Sequence, residues 1–146
     1  MAAGWIEAIE HPHDHDHGEA YEYGIETFVF ERREPFYMED LQKVFEMWPK
    51  NVIRTKGYIW FAENPDDAFI LEQAGRQVTI QPDGMWLASA PERERKKAFK
   101  EYPDLEKDWD PVYGDRVNRL VIIGQNLDQE EMIRDLNAAI ADDFKL

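Results

Sequence analysis

The feature that most constrains the fold is a short amphipathic segment with strand-like sequence on both sides of it. Its apolar residues recur at the i, i+3, i+4 and i+7 spacing that places side chains on one face of a helix. These residues are Leu41, Val44, Phe45 and Trp48. Because Pro49 ends the pattern, we expect a helix over residues 37–48. The β-branched and aromatic segments 25–30 and 52–62 predict strands before and after it.

The middle of the chain predicts further short strands. Segments 68–71, 77–81 and 85–90 have the composition of a three-stranded meander. In this prediction Pro82-Asp83-Gly84 forms the turn between the last two strands, because proline presets φ and glycine tolerates positive φ. Segment 120–123, which is wholly aliphatic, predicts a buried strand.

Three local features complete the secondary-structure prediction. A last helix should begin at Asp128, because Glu131 follows three residues later in a capping-box-like pair. Its apolar stripe consists of Met132, Leu136 and Ile140. The charged segment 91–102 indicates a solvated helix. Gly57, inside a predicted strand, indicates a bulge or the close approach of another backbone.

These elements together predict an α+β domain. We expect a mostly antiparallel sheet of about five to six strands, with two amphipathic helices packed on one face. The opposite face would then stay partly open and available to a partner domain. Because segment 25–30 carries apolar groups on both faces, we expect it to be a central strand.

Composition excludes several classes of function. With 146 residues, the chain is expected to form one domain. Its formal net charge of -14 argues against nucleic acid and anionic membranes as partners. The sequence has no run of eighteen apolar residues, so it does not predict a membrane-spanning helix. The lack of cysteine excludes disulfides, a thiolate zinc site and a cysteine nucleophile, and we expect a cytoplasmic protein.

All histidines of the chain lie in one seven-residue run near the N-terminus. They are His11, His13, His15 and His17. Side chains two residues apart point the same way in an extended chain, and imidazole is the commonest ligand for transition metals. The run therefore predicts a metal-binding tract, with zinc as the first choice and cobalt or nickel as alternatives. The alternative is an inert, solvated linker.

Catalytic motifs are not evident. The sequence contains no G-x-x-x-x-G-K-[ST] phosphate loop, no G-x-G-x-x-G and no G-x-S-x-G. Neighbouring carboxylates could support a hydrolase only if they converged in a pocket with separated pKa values. The candidate pairs are Asp66-Asp67, Asp108-Asp110 and Asp142-Asp143. Since adjacent surface acids are usually only solvated, we expect this chain not to be an enzyme.

Short motifs along the chain match one protein family in their order and spacing. They are Gly4-Trp5, Tyr23-Gly24-Ile25, Phe28-Val29-Phe30, Arg32-Arg33, Pro35-Phe36, Trp48-Pro49, Arg54-Thr55-Lys56-Gly57-Tyr58-Ile59-Trp60, Gln73-Ala74-Gly75, Trp109-Asp110-Pro111, Tyr113-Gly114-Asp115-Arg116, Leu120-Val121-Ile122-Ile123-Gly124 and Asp128. No single motif is specific, but together they cover nearly the whole chain from residue 23. The chain resembles the C-terminal domain of CobW-like GTPases, the metal-handling P-loop proteins named after a cobalamin synthesis protein.

The resemblance implies a division into a flexible leader with a His-rich linker, residues 1–22, and a CobW-like C-terminal domain, residues 23–146. It implies a parent protein whose N-terminal GTPase domain holds GTP and the family's Cys-x-Cys-Cys metal motif. That GTPase domain would be the partner of this chain, together with an unidentified client metalloprotein. We therefore expect a non-catalytic accessory domain of a metallochaperone, and the alternative is a pure interaction domain with an inert His-rich linker.

Overall fold

The computed structural model describes residues 24–146, and within them the strands form a single antiparallel sheet. The strands are β1 (Ile25–Arg32), β2 (Val52–Phe61), β3 (Asn64–Ala74), β4 (Gln77–Met85) and β5 (Asn118–Gln125). Their order across the five-stranded sheet is β1-β5-β2-β3-β4, and every neighbouring pair is antiparallel. β1 and β2 therefore run parallel to each other, and β5 lies between them.

Three α-helices occur in the same residues. They are α1 (Met38–Glu46), α2 (Glu92–Glu101) and α3 (Gln129–Ala138). α1 joins β1 to β2, and α3 follows β5. The Asp128 carboxylate accepts a hydrogen bond from the Glu131 backbone N–H at 3.2 Å, so the predicted N-cap of α3 is confirmed. α2 buries none of its residues, which confirms the predicted solvated helix.

The main core lies between the sheet and the helices α1 and α3. Side chains from both helices meet alternate residues of the central strands, as the period of two of a strand requires. The residues at its centre are Phe30, Leu41, Ile59, Leu120, Ile122, Met132 and Leu136. The sequence pattern predicts each of these apolar side chains either on the apolar face of a helix or on a strand, and the structure confirms it. The predicted α+β class, with two amphipathic helices on one face of an antiparallel sheet, is confirmed.

Gly57 confirms the expectation that two backbones approach closely. A Cβ atom at this position would lie 2.8 Å from the carbonyl carbon of Arg119 and 2.9 Å from the Cα of Leu120, and closer still to the carbonyl oxygen of Arg119. Both of these residues belong to β5, which pairs with β2 through Gly57 and Leu120. Only glycine lets the two strands pack at this separation.

The predicted turn at Pro82-Asp83-Gly84 is wrong. β4 runs through these residues to Met85, and the register with β3 shifts there, so Asp67 pairs with Met85 and Phe69 with Pro82. Gly84 adopts a φ of 90° in this bulge. The proline is tolerated because β4 is an edge strand. The segment after it forms a 3₁₀ turn, Leu87–Ser89, instead of another strand.

The predicted central position of the first strand is also wrong, because β1 lies at an edge of the sheet. Its two apolar faces have another cause. Phe28 and Phe30 face the helix-side core, whereas Val29 packs on the second apolar cluster across the sheet. Burial on both faces reflects a layer on each side of β1, and it carries no information about the number of neighbouring strands.

Candidate functional site

The sheet face opposite α1 and α3 provides the candidate interaction surface. Cross-strand pairing puts Val29 beside Val121, and Thr27 beside Ile123, on this face. Arg54 pairs with Ile123 from the other side. Val29 and Ile123 are half-buried, whereas Thr27 and Arg54 are exposed. We call Thr27, Val29, Arg54 and Ile123 the strand face.

The other end of this sheet face is covered by the connector between β4 and β5, residues 86–117. Trp86 packs against Tyr58, with ring centroids 6.3 Å apart. Tyr113 meets the edge of Trp60, with centroids 5.8 Å apart. The helices on one side and the connector on the other thus leave the strand face as the less covered end of the described sheet.

Arg33 fixes the connector to the end of β1. Its guanidinium donates hydrogen bonds to the backbone oxygens of Gly114 at 3.0 Å, Arg116 at 3.2 Å and Asp108 at 2.7 Å. The Arg33 carbonyl in turn accepts from the indole N–H of Trp60 at 2.8 Å. A single arginine therefore holds the last part of the connector, which follows its helical segments, against the end of β1.

Arg116 holds the same connector from within. Its side chain donates to the backbone oxygens of Pro65 and Tyr113, both at 3.1 Å, and to the Ser89 hydroxyl at 2.6 Å. The guanidinium also lies 5.8 Å from the centre of the Trp60 ring. Only 8% of Arg116 is exposed, so this arginine is a structural clamp and not part of a surface patch.

Asp110 organises the turn that carries Tyr113. Its carboxylate accepts hydrogen bonds from the backbone N–H groups of Tyr113 at 2.8 Å and Val112 at 2.9 Å. These bonds favour the charged form, so the Tyr113 N–H, followed by Val112 and the nearby Arg33 charge, lowers the pKa of Asp110. Partial burial of the phenol raises the pKa of Tyr113.

The basic residues near the strand face are engaged with acids. Lys56 forms an ion pair with Glu72 at 2.9 Å, and Arg119 lies 3.8 Å from Glu31. Both pairs join neighbouring strands of the sheet. These two cations therefore neutralise acids of the neighbouring strands and do not form a separate basic patch.

One carboxylate of each candidate pair accepts hydrogen bonds within the domain. Asp66 accepts from the Ser89 hydroxyl at 2.8 Å, and Asp143 accepts from the Tyr37 hydroxyl at 2.6 Å. Asp66, Asp108 and Asp143 are exposed to solvent. Residues 24–146 contain no group of three or more His, Cys, Asp or Glu side chains placed to hold a metal ion. The hydrolase alternative therefore gains no support from these acids.

The predicted metal ligands are not among the residues that the structure describes. His11, His13, His15 and His17 lie before residue 24, so the metal-binding tract stays a prediction from sequence. Among residues 24–146, no helix combines the length and apolarity that a bilayer span requires.

Comparison with protein families and curated proteins shows what this chain is similar to. The model of the family described as "Cobalamin synthesis protein cobW C-terminal domain" matches residues 25–140. The chain is 33% identical over 153 residues to "Zinc-regulated GTPase metalloprotein activator 1" of Dictyostelium discoideum, covering 98% of this chain and 30% of that protein. It is 30% identical over 123 residues to a zinc chaperone of Mycobacterium tuberculosis, covering 80% of this chain and 30% of that protein.

A solved structure has the same fold. The Zn(II)-bound YjiA GTPase from E. coli superposes with a TM-score of 0.55 at 17% identity, covering 83% of this chain and 31% of that chain. The chain thus spans about a third of the length of the proteins that it resembles.

Proposed function

Because the chain belongs to the family of cobalamin synthesis protein cobW C-terminal domains, we propose that it is the non-catalytic accessory domain of a GTPase that delivers zinc. The family match over residues 25–140 carries this proposal. The names of two relatives, a zinc-regulated GTPase metalloprotein activator and a zinc chaperone, support zinc as the metal handled. In this proposal GTP is bound and hydrolysed by a separate N-terminal domain of the parent protein, and the protein works in the cytoplasm.

The strand face is the surface that docks on the GTPase domain or on the client. Half-buried Val29 and Ile123 offer apolar contact, and exposed Arg54 adds a positive charge to a chain with 31 acidic and 17 basic residues. Such a surface resembles the mixed apolar and polar interfaces between domains of one protein. GTP can change the docking only by binding more tightly to one arrangement of the two domains than to the other.

A charge placed in the strand face tests the docking. Val29→Asp combined with Ile123→Asp should abolish binding to the GTPase domain of the parent, produced as a separate polypeptide and measured by calorimetry. Met47 and Val112, which are 84% and 68% exposed outside the strand face, give the matched control, because Met47→Asp combined with Val112→Asp also adds two charges at apolar sites. Equal binding by both variants would contradict the docking surface.

In this proposal the His-rich tract binds zinc loosely and reversibly, in addition to the docking role of the domain. Four imidazoles at alternating positions can share one ion, and the other 139 residues of the sequence contain neither histidine nor cysteine. Cobalt and nickel remain alternative cargoes, since imidazole discriminates weakly among these ions.

Zinc calorimetry at two pH values separates this role from an inert linker. Heat of binding should appear at about pH 7.5 and fade at about pH 5.5, because ligating imidazoles must lose their protons and their ordinary pKa is about 6.5. Replacing His11, His13, His15 and His17 with Asn should remove that heat, whereas Asp142→Asn with Asp143→Asn should leave it unchanged. No heat at either pH would favour the inert linker.

A further inference from the structure

β4 is an exposed edge of the sheet. It lies at the end of the strand order, and all nine of its residues, Gln77–Met85, are exposed. Within residues 24–146, no strand pairs with its outer side. An edge strand presents a row of backbone N–H and C=O groups that can pair with another strand, and proteins usually protect such an edge with charged side chains.

The two edges of the sheet differ in charge. β1, the other edge, has three charged residues among eight. β4 has one, Asp83, among nine, although 33% of the whole chain is charged. The segment 77–81, with the sequence Gln-Val-Thr-Ile-Gln, has no charged residue at all. The edge at β4 therefore lacks the protection against strand pairing that the edge at β1 has.

The hairpin turn determines which backbone groups of β4 point outward. β3 and β4 are joined by the two-residue turn 75–76, and Ala74 pairs with Gln77 across it. Such a turn closes with a hydrogen-bonded pair, and hydrogen-bonded and non-hydrogen-bonded pairs then alternate along an antiparallel ladder. The backbone groups of Val78 and Ile80 therefore point away from β3, toward any strand that lies beside β4.

The segment 77–81 is self-complementary in an antiparallel register. Read in either direction from its centre at Thr79, it gives a β-branched aliphatic residue and then a glutamine. A two-fold axis at Thr79 therefore pairs Val78 of one copy with Ile80 of the other, and the outward backbone groups of both residues meet. Thr79 then lies opposite Thr79 of the second copy, which is a favourable cross-strand pair. The turn ends the segment on one side, and Pro82, which has no N–H to donate, ends it on the other.

The apolar side chains of the segment gain cover in this register. Val78 pairs with Gln73 and Ile80 with Leu71, which belongs to the main core, so both side chains lie on the helix side of the sheet. The helices leave Val78 37% exposed and Ile80 41% exposed. Pairing of two copies brings four such side chains together and removes apolar surface from water, which favours association.

The charges at the two ends of the segment complement each other. Arg76 lies in the turn at one end, and Asp83 follows Pro82 at the other. The register about Thr79 brings Arg76 of each copy beside Pro82 and Asp83 of the other, so opposite charges meet at both ends. The Asp83 carboxylate also accepts from the Tyr58 hydroxyl at 2.9 Å, and a carboxylate can accept further donors.

We propose that β4 pairs antiparallel with β4 of a second copy of this chain, about a two-fold axis at Thr79, and joins two five-stranded sheets into one. The axis is perpendicular to the sheet, so the helices of both copies lie on one side and their strand faces on the other. A two-fold contact closes at two copies, whereas pairing of β4 with β1 would build an open chain of molecules. The contact does not use the strand face, and it does not depend on the zinc or docking roles.

Analytical ultracentrifugation of the 146-residue chain tests the dimer, at a salt concentration that screens the repulsion between two copies of net charge -14. The small contact predicts a weak dimer that forms at micromolar to millimolar concentration. Val78→Lys with Ile80→Lys should weaken it by at least about tenfold, because like charges then lie directly opposite each other. Met38→Lys with Val112→Lys, at exposed apolar sites outside β4, changes the net charge equally and should dimerise like the wild type. Thermal unfolding followed by circular dichroism checks that each variant is folded.

Single cysteines test the register, because the chain has no cysteine of its own. Residues opposite each other in a non-hydrogen-bonded pair have Cα atoms about 4.5 Å apart, within the range that a disulfide spans. Thr79→Cys should therefore give a disulfide-linked dimer under mild oxidation. Gln77→Cys should not, because the two copies of residue 77 lie about 13 Å apart along the strands. Gln77→Cys with Gln81→Cys should restore the cross-link.

Three results would refute the proposal. One is a monomer at every concentration, which is expected if residues 1–22 or a GTPase domain cover β4 instead. Another is an oligomer larger than two, or a dimer that survives Val78→Lys with Ile80→Lys. The last is a cross-link that forms as fast with Gln77→Cys alone as with Thr79→Cys, which would exclude the two-fold axis at Thr79.

Discussion

Replacement of Gly57 by alanine tests whether the approach of β2 to β5 limits the stability of the sheet. The added Cβ would lie 2.8 Å from the Arg119 carbonyl carbon and 2.9 Å from the Leu120 Cα, and real Cβ atoms do not come this close to other atoms. Because the obstructing atoms are backbone of a central strand, no side chain can turn aside to relieve the contact. Overpacking in a core usually costs about 1–3 kcal/mol. We expect Gly57→Ala to reach the top of that range, about 3 kcal/mol.

The loss is a large part of the stability of a domain of this size, which is about 5–15 kcal/mol. Urea unfolding followed by tryptophan fluorescence measures it, because Trp60 and Trp86 are buried in the native state. Gly75→Ala is the matched control, since a Cβ there meets nothing within 4 Å but the residue has a φ of 59°. The control should lose about 1 kcal/mol, the lower end of the cost of backbone strain. If Gly57→Ala loses less than the control, the steric reasoning is wrong.

Two further predictions concern polar groups that hold the connector and the sheet together. Asp110→Asn keeps an oxygen that can accept from the Tyr113 and Val112 N–H groups but removes the charge. Because the folded pKa of Asp110 is lowered, the charge stabilises the native state above the unfolded pKa of about 3.9. The stability gap to wild type should thus be constant between about pH 7 and pH 5 and close as the pH falls through the folded pKa, and a gap that widens in acid would contradict this. Asn118→Leu keeps the heavy-atom count and branching of a fully buried side chain but leaves the Trp60 N–H and the Glu34 carbonyl without the partners that Asn118 supplies at 2.8 Å and 2.6 Å. We expect a loss of about 3 kcal/mol in urea unfolding, because an unsatisfied buried group costs about 1–3 kcal/mol, and an unchanged midpoint would show that Asn118 is dispensable.

The parts of the fold that the sequence predicted are those set by local periodicity and local chemistry. The stripe that begins at Leu41, the N-cap at Asp128 and the close contact at Gly57 each depend on a few neighbouring residues or on the size of one side chain. The bulge at Gly84 was mistaken for a turn because turn propensity is local, whereas the continuation of β4 depends on its pairing with β3. The edge position of β1 could not be predicted. Both of its faces are apolar because layers formed by residues far along the chain cover them, and this pattern looks the same in a central strand.

The candidate surfaces were less accessible to sequence analysis than the fold. The sequence predicted that one sheet face would be available, but it did not show that the connector covers part of it through Arg33 and Arg116. The burial of Gln73 could not be predicted from the sequence, since a glutamine in a strand is usually exposed. Only the placement of its amide between α1 and the β3–β4 hairpin reveals that one of its atoms has no partner among the described residues.

The position of β5 determines when this domain can assemble. β5 (Asn118–Gln125) inserts between β1 and β2, so the sheet stays in two separate parts until the ribosome has made nearly all of the domain. Before that point β1 and β2 each present an unpaired edge, which is the kind of surface that aggregates. Chaperone protection during synthesis, and rapid proteolysis of chains truncated before Asn118, are the cellular consequences that this topology predicts.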